Sequence, residues 1–194
     1  MAFLTEEQLR NIGFFSIGTN VLISDKASVY GASRIKIGNN VRIDDFCVLS
    51  AGQGGIEIGS YIHIAVYSSL IGAGKIMVSD FCNISSKVAI YSSNDDYSGE
   101  YMTNPMVPSV FTNVTDDVVL LGKHVIIGSG SLVLPGTTLN EGVAIGAFSL
   151  VTSECEEFSI YAGVPAKKIK NRKRKLLELE SELMKRFHTE ISSR

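Results

Sequence analysis

Along most of this chain every sixth residue is Ile, Leu or Val. The series runs Ile17, Ile23, Val29, Ile35, then restarts as Ile37, Ile43, Leu49, as Ile58, Ile64, Leu70, and as Val78, Ile84, Ile90. After a gap it resumes as Leu121, Ile127, Val133, Leu139, Ile145, Val151. Four residues further on stands a small or β-branched residue, among them Val21, Cys47, Ser68, Cys82, Val125, Ser131, Thr137 and Cys155. A period of six fits no amphipathic helix, whose period is 3.6. It fits a short strand that turns a corner after each hexad, with both marked positions pointing inward. Three hexads close one triangular coil, and coils stack as parallel strands roughly 4.8 Å apart. The expected fold is an all-β solenoid. Glycine often follows the aliphatic residue (Gly18, Gly38, Gly59, Gly122, Gly128, Gly146), where it is expected to supply backbone angles that other residues resist. Cys47, Cys82 and Cys155 fall on the inward small position, which makes them packed core thiols and not nucleophiles.

The register breaks near residues 36, 53–55 and 77, and on a larger scale at about 94–117. That stretch holds Pro105, Pro108 and many polar residues between two well-patterned blocks. A long insertion in a solenoid marks its binding face. The ends differ from the middle. Thr5 and Gln8 have capping-box spacing ahead of a short helix. After Pro165 the chain turns basic, and Leu176, Leu177, Leu183, Met184, Phe187 and Ile191 fall on one helical stripe. The organisation is therefore a helical cap at 1–16, the solenoid at 17–164 with its excursion loop, and a basic tail with a C-terminal helix at 165–194.

Composition narrows the class. A formal net charge of −2 gives no general attraction to nucleic acid. No apolar run approaches the ~20 residues that span a bilayer. The first residues lack the apolar core of a signal peptide. Three scattered cysteines form neither a disulfide framework nor a zinc spacing, so the expected compartment is the cytoplasm and no metal is expected. Gly74-Lys75 lacks the flanking residues of a phosphate-binding P-loop.

The hexads, together with the ending Ile160-Tyr161-Ala162-Gly163-Val164-Pro165-Ala166-Lys167, resemble the hexapeptide-repeat acyltransferases, and within them the galactoside and maltose acetyltransferase branch. The resemblance covers about residues 58–169. It implies a left-handed parallel β-helix, acetyl-CoA as donor, and a homotrimer with active sites between subunits. It also implies that Ser129, with Gly130 beside it, and Ala147 contact pantetheine, that Thr152 lies further along the cofactor, and that Pro165 and Lys167 approach the adenosine and its phosphates. Ser129 and Ala147 are 18 residues apart and so stack on one edge. A lysine beyond the end of that edge can meet phosphate as a point charge.

One departure from the family pattern concerns the base. The branch carries a His just after the last hexad before the loop. Here the stretch reads Ile90-Tyr91-Ser92-Ser93-Asn94-Asp95-Asp96-Tyr97, and Asp95 takes that place. Asp95 is therefore the first candidate catalytic residue, with Asn94, Asp96 and Tyr97 as acceptor-binding neighbours. Adjacent acids in a desolvated cleft can have one pKa raised. His63 is the second candidate, placed by hexad counting on the same edge as Ser129, two coils or roughly 10 Å away. His124 is expected to face solvent, as is His188. The leading reading is transfer of acetyl from acetyl-CoA to a sugar hydroxyl. N-acetylation of a nucleotide-linked amino sugar is the alternative, since an amine demands less of a base than an alcohol. A non-catalytic binding module is the second.

Overall fold

The hexads fold as their period requires. In the computed structural model, which describes residues 2–192, three sheets of six, eight and six strands form the sides of a parallel solenoid of about seven coils. Successive strands enter successive sheets, and each pairs with the strand one coil away. Register in the second sheet stacks Ile23, Ile43, Ile64, Ile84, Ile127 and Ile145 in a single inward file. All six are buried. Burying each isoleucine stabilises the coil by about 1.5–3 kcal/mol relative to exposure. The three cysteines lie in the same core. Burial pushes the Cys82 thiol up to about 12 and the Cys155 thiol to about 11, which leaves both protonated and inert.

The corners reverse the expectation for glycine. The left-handed backbone positions at the first corner are taken by Asn20, Asn40, Tyr61, Phe81, His124, Gly142 and Phe158, and at the second by Phe46, Tyr67, Lys87, Gly130 and Phe148. A side chain there costs about 1–2 kcal/mol. The amides of these residues offset it by donating to the neighbouring coil, as Tyr67 does to Asp45 at 3.1 Å, Gly130 to Ser86 at 3.0 Å and Phe148 to Ser129 at 2.9 Å. Glycine is needed two residues earlier, for closeness: a Cβ on Gly128 would lie 2.5 Å from the Ala147 nitrogen.

Helix α1 (Glu6–Ile12) closes the first coil with Leu9, and its capping box is complete: Thr5 Oγ1 accepts from the Gln8 amide, and the Thr5 amide donates to Gln8 Oε1. At the other end, 165–174 is not simply a tail. After the strand Ser159–Ala162 the chain doubles back as Lys167–Asn171, antiparallel to it, and finishes the second sheet. Helix α2 (Lys175–Ser192) follows. The expectations for Phe187, His188 and Ile191 fall outside the residues whose side chains are described. No helix among the described residues is long and apolar enough to cross a membrane.

Candidate active site

The second corner, between the second and third sheets, carries the candidate cofactor positions. Register pairs Ile126 with Ala144 and Ile127 with Ile145, so Ser129 and Ala147 occupy equivalent turns one coil apart. One coil further, Ile145 pairs with Tyr161, which brings Gly163 level with Ala147. The turn through Pro165 is fastened there: Gly163 O accepts from the Leu150 amide at 2.9 Å, and the Ala166 amide donates to Leu150 O at 2.8 Å. Lys167 opens the returning strand opposite Ala162. Ser129, Gly130, Ala147, Pro165 and Lys167 thus follow one line along the solenoid axis. Thr152 departs from it: it lies two residues past Leu150, toward the third corner.

Charge at the end of this line is uneven. Lys168 is held by Glu156 at 2.7 Å and Arg174 by Glu157 at 2.7 Å. Lys167 is exposed and has no carboxylate partner among the described residues. It is therefore available to a phosphate.

The excursion leaves from the third corner. Its neck is an antiparallel pair, Ser93 with Asp116 and Asn94 with Thr115. Asp95 is the first residue beyond the neck; it is exposed and makes no hydrogen bond or ion pair among the described residues. The acid couple expected from sequence does not form. Asp96 Oδ1 instead accepts from the Ser98 hydroxyl at 2.7 Å, the Ser98 amide at 2.9 Å and the Gly99 amide at 3.2 Å. The Ser98 hydroxyl above all holds the Asp96 carboxyl below its usual range. Tyr97 is 91% exposed.

Two histidines stand elsewhere than expected. His63 is not at a corner. It lies in the strand Ile62–Ile64, level with Arg42 and Asn83, and its ring faces outward from the second sheet. Asp44 Oδ2 is 2.8 Å from its Nε2, and the other oxygen accepts from Arg42 at 2.7 Å. Burial works to raise the Asp44 carboxyl, and Arg42 and His63 together outweigh it, so the net shift is downward. Nor does His124 face solvent: it is 9% exposed, stacked on Phe81 and paired with Glu180. Hexad counting placed its backbone well but could not foresee that α2 returns across the first corner.

Within one chain the cofactor line and Asp95 are not brought together. From Ser86 at the second corner to Ser92 at the third the chain crosses the third sheet, roughly 15–20 Å at 3.3 Å per residue. Among the described residues no three His, Cys, Asp or Glu side chains converge as metal ligands.

No family model matches the chain. It is 64% identical over 181 residues to the dTDP-4-amino-4,6-dideoxy-D-glucose acyltransferase of Escherichia coli, covering 93% of this chain and 94% of that one. This chain belongs to the hexapeptide-repeat acyltransferases. A second family member, AntD, an N-acyltransferase from Bacillus cereus, was solved with dTDP and 3-hydroxybutyryl-CoA. It superposes with a TM-score of 0.92 at 49% identity, over 96% of this chain and 98% of that one. An AntD variant binding dTDP-4-amino-4,6-dideoxyglucose and coenzyme A superposes with a TM-score of 0.90. A lipopolysaccharide O-acetyl transferase homologue, WbbJ of Escherichia coli, is more distant at 28% identity over 174 residues. The dTDP-4-amino-4,6-dideoxy-D-glucose acyltransferase and AntD stand with the amino-sugar alternative and not with hydroxyl acetylation. Several AntD structures replace one serine or one aspartate, ten residues apart in that chain. In this chain that spacing occurs twice, as Ser85–Asp95 and Ser86–Asp96. Hexad counting did not single out Ser85: its file along the corner reads Ser24, Asp44, Ala65, Ser85, Gly128 and Gly146, a mixed set in which one more hydroxyl carries no signal.

Proposed function

We propose that this enzyme transfers an acyl group, with acetyl the expected donor group, from a CoA thioester to the 4-amino group of dTDP-4-amino-4,6-dideoxyglucose. The observation that carries the reading is 64% identity to an acyltransferase of that sugar over nearly the whole of both chains. Local chemistry supports it. Exposed backbone along Ser129 and Ala147 suits the amides of pantetheine, and Lys167 suits the phosphates at the far end. The neutral sugar amine attacks the thioester carbonyl carbon. The C–N bond forms, the C–S bond breaks, the nitrogen gives up a proton and the CoA thiolate accepts one. An amine needs no strong base to attack, which agrees with a loop that holds Asp95 and no histidine. Asp95 orients the amine, and Ser85 lies on the cofactor's corner. Asp96 is the poorer choice for the acid because its carboxylate is already engaged by Ser98 and Gly99.

The active enzyme is a homotrimer in this reading. Asp95 and the cofactor line stand on opposite edges of the third sheet, so a site needing both takes them from two subunits. The excursion also exposes Tyr97, Met102, Met106, Val110 and Phe111, an apolar surface suited to a neighbouring copy. The reaction belongs in the cytoplasm, where CoA thioesters and nucleotide sugars are made.

The test is thiol release from acetyl-CoA with dTDP-4-amino-4,6-dideoxyglucose, free hexoses and galactosides as acceptors. Rapid release with the amino sugar alone, and a product carrying an amide by mass spectrometry, is expected. Release with hydroxyl sugars and none with the amine would overturn the proposal.

A further inference from the structure

The first and second corners carry the same kind of aromatic ladder, and only one of them is covered. At the first, Tyr61 stacks on Phe81 at 4.8 Å and Phe81 on His124 at 5.1 Å. Glu180 of α2 seals that ladder by pairing with His124 and Lys123. At the second, Phe46 stacks on Tyr67 at 5.0 Å, and both rings remain open, 46% and 56% exposed. One coil beyond Tyr67 the ladder continues as Lys87, whose amide donates to Val66 O at 3.0 Å. Next comes Gly130, which has no side chain and is overlaid from the far side by the Phe148 ring.

This is the corner of Ser129 and Ala147, on its N-terminal continuation. Donor phosphates at Lys167 and a pantetheine arm past Ala147 and Ser129 put the thioester near Ser86. Whatever extends away from the reacting carbon along this edge next meets Lys87, then Tyr67.

The electrostatics single out Lys87. Lys26 lies 3.5 Å from Asp45 and 5.6 Å over the Phe46 ring. Asp44 is shared by Arg42 and His63. Asp45 also takes the Ser24 hydroxyl. Both carboxylates of the coil that carries Phe46 are thus engaged. Lys87 is exposed and has no acidic partner among the described residues. An unpaired ammonium one coil from an open aromatic face matches a diphosphate joined to a planar base.

We infer that Tyr67, backed by Phe46, stacks the thymine of the acceptor, and that Lys87 meets its diphosphate. This rests on the reading above that the acceptor is a dTDP-linked sugar. It assigns recognition of the nucleotide to the N-terminal coils, apart from the loop that presents Asp95.

Calorimetry on the intact enzyme with dTDP, dTMP and CoA tests the assignment. Tyr67→Ala is expected to weaken dTDP and dTMP alike, on the order of tenfold or more, as loss of a base stack does, with Tyr67→Phe restoring most of it. Lys87→Ala should weaken dTDP severalfold more than dTMP. Both variants should bind CoA as the wild type does; these side chains are exposed, so the fold is not at stake. Wild-type enzyme that binds dTDP, with both variants binding it equally well, would overturn the stacking site alone. Wild-type enzyme that binds no dTDP would overturn the nucleotide-sugar reading and the stacking site with it.

Discussion

Nε2 of His124 lies 2.7 Å from a carboxylate oxygen of Glu180, 56 residues further along the chain. Lys123 holds the other oxygen at 2.6 Å. These contacts tie α2 to the first corner, while Leu179 just before Glu180 and Leu183 and Met184 after it stay exposed. Burial acts to raise the Glu180 carboxyl, and the hydrogen bonds from Lys123 and His124 outweigh it, so it lies below the usual 4.5. A lowered carboxylate contributes stability that is present above its unfolded pKa and lost as pH falls through the folded one. Lys123 is raised, chiefly by Glu180; its share is complete below 10.5 and lost as pH rises through its folded value. The tie therefore holds across neutral pH and fails in acid. Hydrogen exchange should show α2 losing protection below about pH 4.5, and Glu180→Gln should show the same loss at pH 7. Equal protection in that variant at pH 7 would contradict the account.

Replacement of Asp95 by Asn separates orientation from base catalysis. With an amine acceptor the expected result is a higher acceptor KM, a modest change in kcat and unchanged CoA affinity. A kcat loss of about 10²–10⁴-fold would instead make Asp95 the base. His63→Ala is expected to change kcat little, because Asp44 holds that ring on the outer face of the second sheet.

Mixed assemblies test whether one site draws on two chains. Asp95→Asn and Lys167→Glu subunits, each impaired alone, should regain activity when dissociated and reassembled together. Random mixing then leaves about a quarter of the clefts with neither defect. No recovery would place both residues in the same chain's site.

Thr137 is fully buried, and its hydroxyl has no hydrogen-bond partner among the described residues. A desolvated, unpaired hydroxyl is unfavourable, so Thr137→Val should raise stability by about 1 kcal/mol, or about 2–4 °C in melting temperature for a chain of this size. A lower melting temperature would mean that the hydroxyl is satisfied in solution.

What could be read from residues alone followed from periodicity. Ile64, Ile84 and Ile127 were legible as one file because a solenoid repeats its geometry at every coil, and the line from Ser129 to Ala147 came from the same count. Failures began where contacts depend on segments outside the repeat. His124 shares its hexad position with exposed residues, and only the return of α2 buries it. Lys167–Asn171 alternates too weakly in hydropathy to announce a strand; it pairs because Ser159–Ala162 leaves an edge open. The candidacy of Asp95 rests on its distance from the last hexad, and the structure sets it just past the neck of the excursion. The engagement of Asp96 by Ser98 and Gly99 belongs to a tight turn that no period encodes.

The neck formed by Ser93, Asn94, Thr115 and Asp116 has an evolutionary consequence. The chain departs and re-enters through two adjacent strands, and the coil beyond resumes in step, with Ile76 opposite Val119 and Val78 opposite Leu121. Insertions, deletions or wholesale exchange between residues 95 and 114 therefore leave every downstream hexad in place. If the proposed sites hold, a lineage can change the acceptor side by editing that branch, while the edge proposed for the donor is inherited untouched.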